Sequence, residues 1–182
     1  MVAPTAAQAE AIKSRIGAIL MSKSCQTIDF WLDGQHIDGS GFSYVALALK
    51  SMSFDINPDP GPNVGAGYST TNTFLFKSVD VGGTLRQRMY IVHECTHALR
   101  DAKGKLLRTT DGRLTPTRTL SDEACAYVAG MLYYILESAG MTGTPVAPIW
   151  AASIPVHRTA FFIAFKVRSQ LGKHVSASDA DA

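Results

Sequence analysis

Residues 84–102, TLRQRMYIVHECTHALRDA, constrain the fold most, because they carry a helical pattern over about five turns. On a helical wheel, five residues of this segment lie in one narrow stripe that is expected to face the core: Leu85, Met89, Val92, Thr96 and Leu99. His93 and His97 lie one turn apart on an adjacent face, among mostly uncharged neighbours. The segment therefore predicts a buried helix that carries two histidines side by side.

Two imidazoles one helical turn apart can bind a single metal ion, and neutral imidazole is a common zinc ligand. Glu94 follows the first histidine and is rotated further round the same side of the helix. Its carboxylate can accept a proton from a water whose pKa zinc has lowered towards about 7. The HExxH spacing thus indicates a zinc site with His93 and His97 as ligands and Glu94 as general base. The alternative is a helix with two incidental histidines.

A catalytic zinc ion commonly has three protein ligands and an open fourth position. A second helix is predicted over residues 121–140, and one of its stripes carries Glu123, Tyr127, Gly130 and Tyr134. Glu123 is the candidate third ligand, and the adjacent Asp122 is its main competitor. An acidic residue in the first turn can also simply stabilise the helix end.

HECTHALRD resembles the HExTHAxxD segment of thermolysin-type peptidases, and DEA at 122–124 is similar to the acidic stretch holding their zinc glutamate. HExxH with a downstream glutamate resembles, more broadly, the gluzincin branch of the zincins. The resemblance covers residues 85–130 and implies a zinc metallopeptidase whose ligands and general base are His93, His97, Glu123 and Glu94. The chain departs from thermolysin in its shorter length and its longer gap between the second histidine and the glutamate. It also has Tyr127 where that family has an aspartate supporting a zinc histidine.

Peptide hydrolysis also requires a hydrogen-bond donor for the developing oxyanion. The candidates are Tyr127, Tyr134, His157 and Arg158, with Tyr134 and His157 put forward as catalytic. His157 can also be an ordinary residue at the start of a helix. In zincins an edge strand ahead of the active-site helix binds extended substrate, and the resemblance implies this role for NTFLFKS, 72–78. A core strand is the alternative for this segment.

The remaining pattern predicts one α+β domain over residues 1–182: a mostly helical, minimal zincin-like domain with a small β-sheet flanking the HExxH helix. Further helices are expected over residues 5–24 and 148–172, and helical spacing resumes over 42–52. Non-helical stretches are a turn-rich break at 33–41, a long loop at 57–72, a polar connector at 103–119 and a polar tail at 173–182.

Composition sets limits on function. With 46% hydrophobic and 18% charged residues the chain is typical of a soluble globular protein, and a net charge of +2 does not indicate nucleic-acid binding. No signal peptide or membrane span is predicted, which leaves the cytoplasm or export by a signal-free route. The three cysteines are expected to be small buried hydrophobes.

The expected function is hydrolysis of a peptide or protein substrate with one Zn²⁺ per chain, a role compatible with an effector toxin. The alternatives are a non-catalytic metal-binding module and a helical protein-interaction module without metal. Oligomeric state leaves no signal in the sequence.

Overall fold

The computed structural model describes residues 1–58, 66–69, 71–102, 120–142, 154–169 and 171. Across these residues the chain is an α+β protein in which helices predominate and two small β-sheets accompany them, as predicted. Within the same residues no helix combines the length and apolar character needed to cross a membrane. The predicted connector at 103–119 and tail at 173–182 lie outside the described residues.

Helix α1 (Ala6–Leu20) begins after Thr5, whose side chain and that of Gln8 cap each other's backbone amides. Isoleucines and leucine one turn apart form its buried face: Ile12, Ile16, Ile19 and Leu20. The single helix predicted over 5–24 is wrong at its end, because Ser22 accepts a hydrogen bond from the Cys25 amide and so starts a separate short helix, α2 (Lys23–Gln26).

Residues 29–38 form an antiparallel hairpin of β1 (Asp29–Leu32) and β2 (Gln35–Asp38). Asp33 and Gly34 make its two-residue turn with positive φ values of 49° and 72°, which Asp-Gly tolerates well. The predicted turn-rich break at 33–41 is therefore wrong beyond Gly34. Residues 35–38 are a strand, and Asp38 caps helix α3 (Gly39–Ala48) through the Gly41 amide.

A 3₁₀ turn (Leu49–Ser51) leads into the second sheet, which contains β3 (Ser53–Ile56), β4 (Ala66–Ser69) and β5 (Thr73–Phe76). The strand order is β3-β5-β4, with β5 parallel to β3 and antiparallel to β4. The long loop predicted over 57–72 is wrong for residues 66–69, which form β4. Residues 59–65 and 70 lie outside the described residues.

Strand β5 is the centre of its sheet, so both edges of its backbone are paired. The predicted strand in NTFLFKS is thus confirmed, whereas its role as the substrate-binding edge strand is wrong. Phe74 and Phe76 lie in the hydrophobic core, as the core-strand alternative requires. Among the described strands of this sheet, β4 is the edge with one neighbour, because the outer edge of β3 hydrogen-bonds with Val2 at Ile56.

Three more helices belong to the described part of the chain: α4 (Leu85–Ala102), α5 (Leu120–Thr142) and α6 (Pro155–Arg168). The first two match the predicted helices; the predicted last helix is confirmed over 155–168 and ends near Ser169, and residues 148–153 lie outside the described residues. Helix α4 packs against α5, α3 and β4, and α5 packs against α6. Gly130 lets α4 and α5 approach closely, since a Cβ there would lie 2.9 Å from the Met89 carbonyl oxygen.

Candidate metal centre

Helix α4 is buried along the whole stretch from Ile91 to Leu99, because packing elements surround it. His93 and His97 are therefore both buried, and the spacing of one turn places their Nε2 atoms 3.3 Å apart. Their rings meet edge to face, with centroids 5.0 Å apart. Two aromatic nitrogens so close in a buried place favour a shared proton or a shared cation between them.

Glu123, in the first turn of α5, faces both histidines. Its Oε2 lies 3.5 Å from Nε2 of His93, and its Oε1 lies 3.5 Å from Nε2 of His97. Its side chain is 33% exposed, whereas the two histidine side chains are below 10%. Solvent therefore reaches the cluster from the Glu123 side.

Asp122, the competing carboxylate, points elsewhere. It forms an ion pair with Arg100 of α4, and its Oδ1 accepts a hydrogen bond of 3.2 Å from the Gln35 amide of β2. Of the two adjacent acidic residues, Glu123 is thus the one that the fold directs to the histidines.

Glu94 is the second carboxylate in the cluster. It is buried, and its Oε1 lies 3.8 Å from Nε2 of His93. One donor atom each from His93, Glu94 and His97 lie within 4.8 Å of one another. Both carboxylates are thus within reach of the imidazoles, with Glu123 the nearer.

The donor set can be tested against the chemistry of zinc. Ligand atoms at about 2.1 Å from a tetrahedral zinc ion lie about 3.4 Å from one another. The two imidazole Nε2 atoms are 3.3 Å apart, and each of them lies 3.5 Å from a different oxygen of the Glu123 carboxylate. Two neutral nitrogens and a carboxylate are also the donor types that zinc accepts in catalytic sites. The residues present therefore fit the ion that the sequence predicts.

Tyr127 lies against the candidate centre, one turn beyond Glu123. Its ring is 4.4 Å from that of His93, at a steep angle. Burial, and then the nearby carboxylates of Glu123 and Glu94, raise the pKa of Tyr127 above its usual value near 10. The phenol therefore keeps its proton at neutral pH and can act as a hydrogen-bond donor.

The two ring nitrogens of His93 differ in their surroundings, because Nε2 faces His97 and Glu123. Its Nδ1 atom is buried and makes no hydrogen bond with a described residue. Ligand histidines commonly donate this second nitrogen to a carboxylate or a carbonyl.

His157, near the start of α6, is buried on the other side of Tyr127. Its ring lies 5.4 Å from the Tyr127 ring and 6.0 Å from the Tyr90 ring. Burial lowers the pKa of His157, and the charges of Arg86 and His93 lower it further. At neutral pH the imidazole is therefore uncharged.

Tyr134, the other residue predicted to be catalytic, lies further along the same helix as Glu123. It lies eleven positions after Glu123 on α5, which corresponds to about 16 Å along the helix axis. Burial raises the pKa of Tyr134, but no charge of the candidate centre contributes to the shift. The structure thus gathers His93, Glu94, His97 and Glu123, with Tyr127 against His93 and His157 against Tyr127. Tyr134 lies three turns from Glu123 along α5, and its catalytic role stays a prediction.

Arg100 and Gln35 are residues that the sequence analysis did not assign to the neighbourhood of the site. Arg100 follows His97 by three positions and is largely buried. The sequence does contain a signal for Arg100, which is a cation within an otherwise apolar helix face. A buried arginine requires an acidic partner. Gln35 reaches Asp122 from the distant hairpin, and no feature of the sequence predicts this contact.

Compared with known proteins, the chain matches no family model, no curated protein and no solved structure.

Proposed function

We propose that the protein is a zinc-dependent peptidase that hydrolyses peptide bonds in a peptide or protein substrate. The observation that carries the proposal is the meeting of His93, His97 and Glu123 at 3.3 to 3.5 Å, across two helices. Two incidental histidines on a packing helix would not require a carboxylate of the next helix to face both of them. Glu94 adds the second carboxylate that hydrolysis requires.

His93, His97 and Glu123 are the residues that would hold the ion. A bound zinc ion would supply a Lewis acid that polarises the substrate carbonyl and brings the pKa of water to near 7. The partial exposure of Glu123 marks the side from which water and substrate would enter.

Glu94 is proposed as the general base. It accepts a proton from the attacking water and passes it to the leaving nitrogen of the cleaved amide. Its position supports this role, because it is buried beside His93 but stands farther from the imidazole nitrogens than Glu123 does. A carboxylate in this place can reach a water between the enzyme and its substrate.

Tyr127 and His157 are proposed to stabilise the developing oxyanion. Tyr127 keeps its phenolic proton, and the uncharged imidazole of His157 carries one N–H group. The Tyr127 ring contacts that of His93, and the His157 ring contacts that of Tyr127, whereas Tyr134 is about three turns from Glu123 along α5.

Strand β4 is the proposed site for the substrate backbone, in place of β5. It is an edge among the described strands, and it packs against α4. An extended peptide can hydrogen-bond to such an edge as an additional strand. The scissile bond would then lie over the helix that carries the histidines.

Metal content is the first test. Elemental analysis of the purified protein is expected to give one zinc per chain, with loss or weakening in His97→Ala and in Glu123→Ala. His36→Ala is the matched control, because His36 lies between Asp29 and Asp38 on the hairpin and is not part of the donor set. Metal lost in His97→Ala alone would remove Glu123 from the ligands. A wild type that stays free of metal after reconstitution would overturn the proposal and favour the helical interaction module.

Activity is the second test. Glu94→Gln keeps the shape of the side chain and removes the base, so it is expected to retain zinc while losing cleavage of a peptide mixture followed by mass spectrometry. Full activity in this variant would contradict the assignment of Glu94. Stoichiometric zinc with no cleavage by the wild type would favour the non-catalytic metal-binding module.

A further inference from the structure

A pocket of about 260 Å³ lies at the beginning of α4, one turn before the histidines. Its walls come from strands β4 and β5, the segment after β5, and the first turns of α4, where they include Ala66, Lys77, Asp80, Arg86 and Tyr90. This volume lies just below the range of about 300 to 1,000 Å³ that is usual for small-molecule pockets. The pocket is therefore large enough to take an amino-acid side chain.

The charges of the pocket favour an anion. Its lining contains two cations, Lys77 and Arg86, and one anion, Asp80. Asp80 already forms an ion pair with Arg15 of α1. The side chains of the lining carry one net positive charge. Because Arg15, which lies outside the lining, pairs with Asp80, the two cationic side chains dominate the charge of the pocket.

Arg86 is the group that would meet this anion. Two backbone amides at the start of α4 are already engaged, because the Thr84 and Gln87 side chains cap each other's N–H groups. Arg86 is placed by Tyr90, whose hydroxyl accepts a hydrogen bond of 3.2 Å from its Nη2 and whose ring lies 5.6 Å from the guanidinium carbon. A guanidinium held in this way is suited to binding a carboxylate.

The pocket adjoins the candidate metal centre. Tyr90 comes one helical turn before His93 and Glu94, and its ring lies 6.0 Å from that of His157. Ala66 of the edge strand β4 forms part of the opposite wall. In a peptide paired to β4, every second side chain would point to the same face of the sheet. One of them would enter the pocket.

We infer that this pocket binds a carboxylate of the substrate next to the cleaved bond, with Arg86 as its counter-charge. The carboxylate is that of an aspartate or glutamate side chain, or that of the peptide C-terminus. The inference rests on the proposed peptidase function and adds a substrate class to it: acidic peptides.

Cleavage of matched peptides provides one test. Peptides with glutamate near the cleaved bond are expected to have a kcat/KM about tenfold above that of glutamine counterparts, as a charge-assisted pair is worth about 1.4 kcal/mol. Arg86→Gln should reduce this ratio to about one, and Arg86→Lys should keep part of it. Lys50→Gln, which removes an exposed cation outside the pocket, should leave it unchanged. A comparison of peptides with amidated and free C-termini distinguishes a side-chain carboxylate from the carboxylate of the peptide C-terminus.

Binding without turnover separates the pocket from the chemistry. Calorimetry with Glu94→Gln should show tighter binding of the glutamate peptides than of the glutamine peptides, and the added Arg86→Gln change should abolish the difference. A preference for the glutamate peptides without hydrolysis by the wild type would retain the carboxylate-binding pocket and overturn the peptidase function. Equal binding of both peptide sets, or a preference that survives Arg86→Gln, would overturn the inference about the pocket even if cleavage occurs.

Discussion

Arg100 of α4 forms an ion pair with Asp122 of α5, the residue directly before Glu123. Arg100 follows His97 by three positions, so the pair lies beside the contact between Glu123 and the histidines. Both side chains are largely buried, and Asp122 also accepts a hydrogen bond from Gln35 of the hairpin. The ion pair thus fixes the register of the two helices that supply the candidate ligands.

Asp122→Asn is expected to lower the free energy of unfolding by about 3 kcal/mol, because it removes the ion-pair partner of the largely buried Arg100. The zinc affinity should fall as well, since Glu123 loses the anchor beside it. Urea unfolding and a zinc titration measure the two effects. Glu10→Gln, which breaks an exposed pair with Lys13, should leave both nearly unchanged. An Asp122→Asn protein with wild-type stability would contradict the role of the pair.

Gly130→Ala is expected to destabilise the protein by about 1 to 3 kcal/mol and to weaken zinc binding. Its new Cβ would lie 2.9 Å from the Met89 carbonyl oxygen and 3.5 Å from Cβ of His93, so α5 must move away from α4. The matched control is Gly140→Ala on the same helix, where a Cβ meets nothing within 4 Å. That change should stabilise the helix by up to about 1 kcal/mol. Equal effects of the two substitutions on stability would contradict the close approach.

The three cysteines are expected to resist a thiol reagent in the native protein at pH 8. Cys25, Cys95 and Cys125 are free and buried, and burial raises the pKa of Cys125 to about 12. All three should react once denaturant is added, which a colorimetric thiol assay can count. Ser51→Cys adds an exposed thiol as a positive control and should react at once. Immediate reaction of the wild type would show that a cysteine is accessible.

Tyr133 is expected to make the protein sensitive to alkali. Burial, and then the charge of Glu137, raise its pKa to about 12, above the value near 10 of an unfolded chain. The contribution of the protonated Tyr133 to the free energy of unfolding is therefore complete below about pH 10 and is lost as the pH rises towards 12. At pH 11 this loss is about 1.4 kcal/mol.

Urea unfolding at pH 8 and pH 11 measures this loss, and the difference between the two pH values should be smaller in Tyr133→Phe than in the wild type. Tyr44→Phe, at an exposed position on α3, should retain the wild-type difference. An identical pH dependence in the wild type and in Tyr133→Phe would show that the phenol is solvated in the folded protein.

The features that the sequence predicts well are local. The periodicity of residues 84–102 identifies α4, and the interval of one turn brings the two imidazoles together without any tertiary information. Glu123 follows from the stripe on α5 and from the resemblance to gluzincins, and the geometry places it opposite both histidines. Its role as a zinc ligand stays a prediction.

The features that the sequence does not predict depend on contacts between distant segments. Strand order is one: the pattern of TFLF identifies a strand but cannot distinguish the centre of the sheet from its edge. The partners of Arg100 and the walls of the pocket beside Arg86 also come from segments far apart in the chain. The hairpin differs, because Asp33-Gly34 was a usable turn signal between two short strands.

The division of the candidate ligands between α4 and α5 bears on the order of folding. A newly formed α4 already carries both imidazoles in place, but the carboxylate of Glu123 joins them only after α5 has docked. The close contact at Gly130 belongs to that same docking event. Completion of the cluster therefore requires the docking of α5 on α4, which distinguishes a chain with its two central helices assembled from one that has only formed its secondary structure.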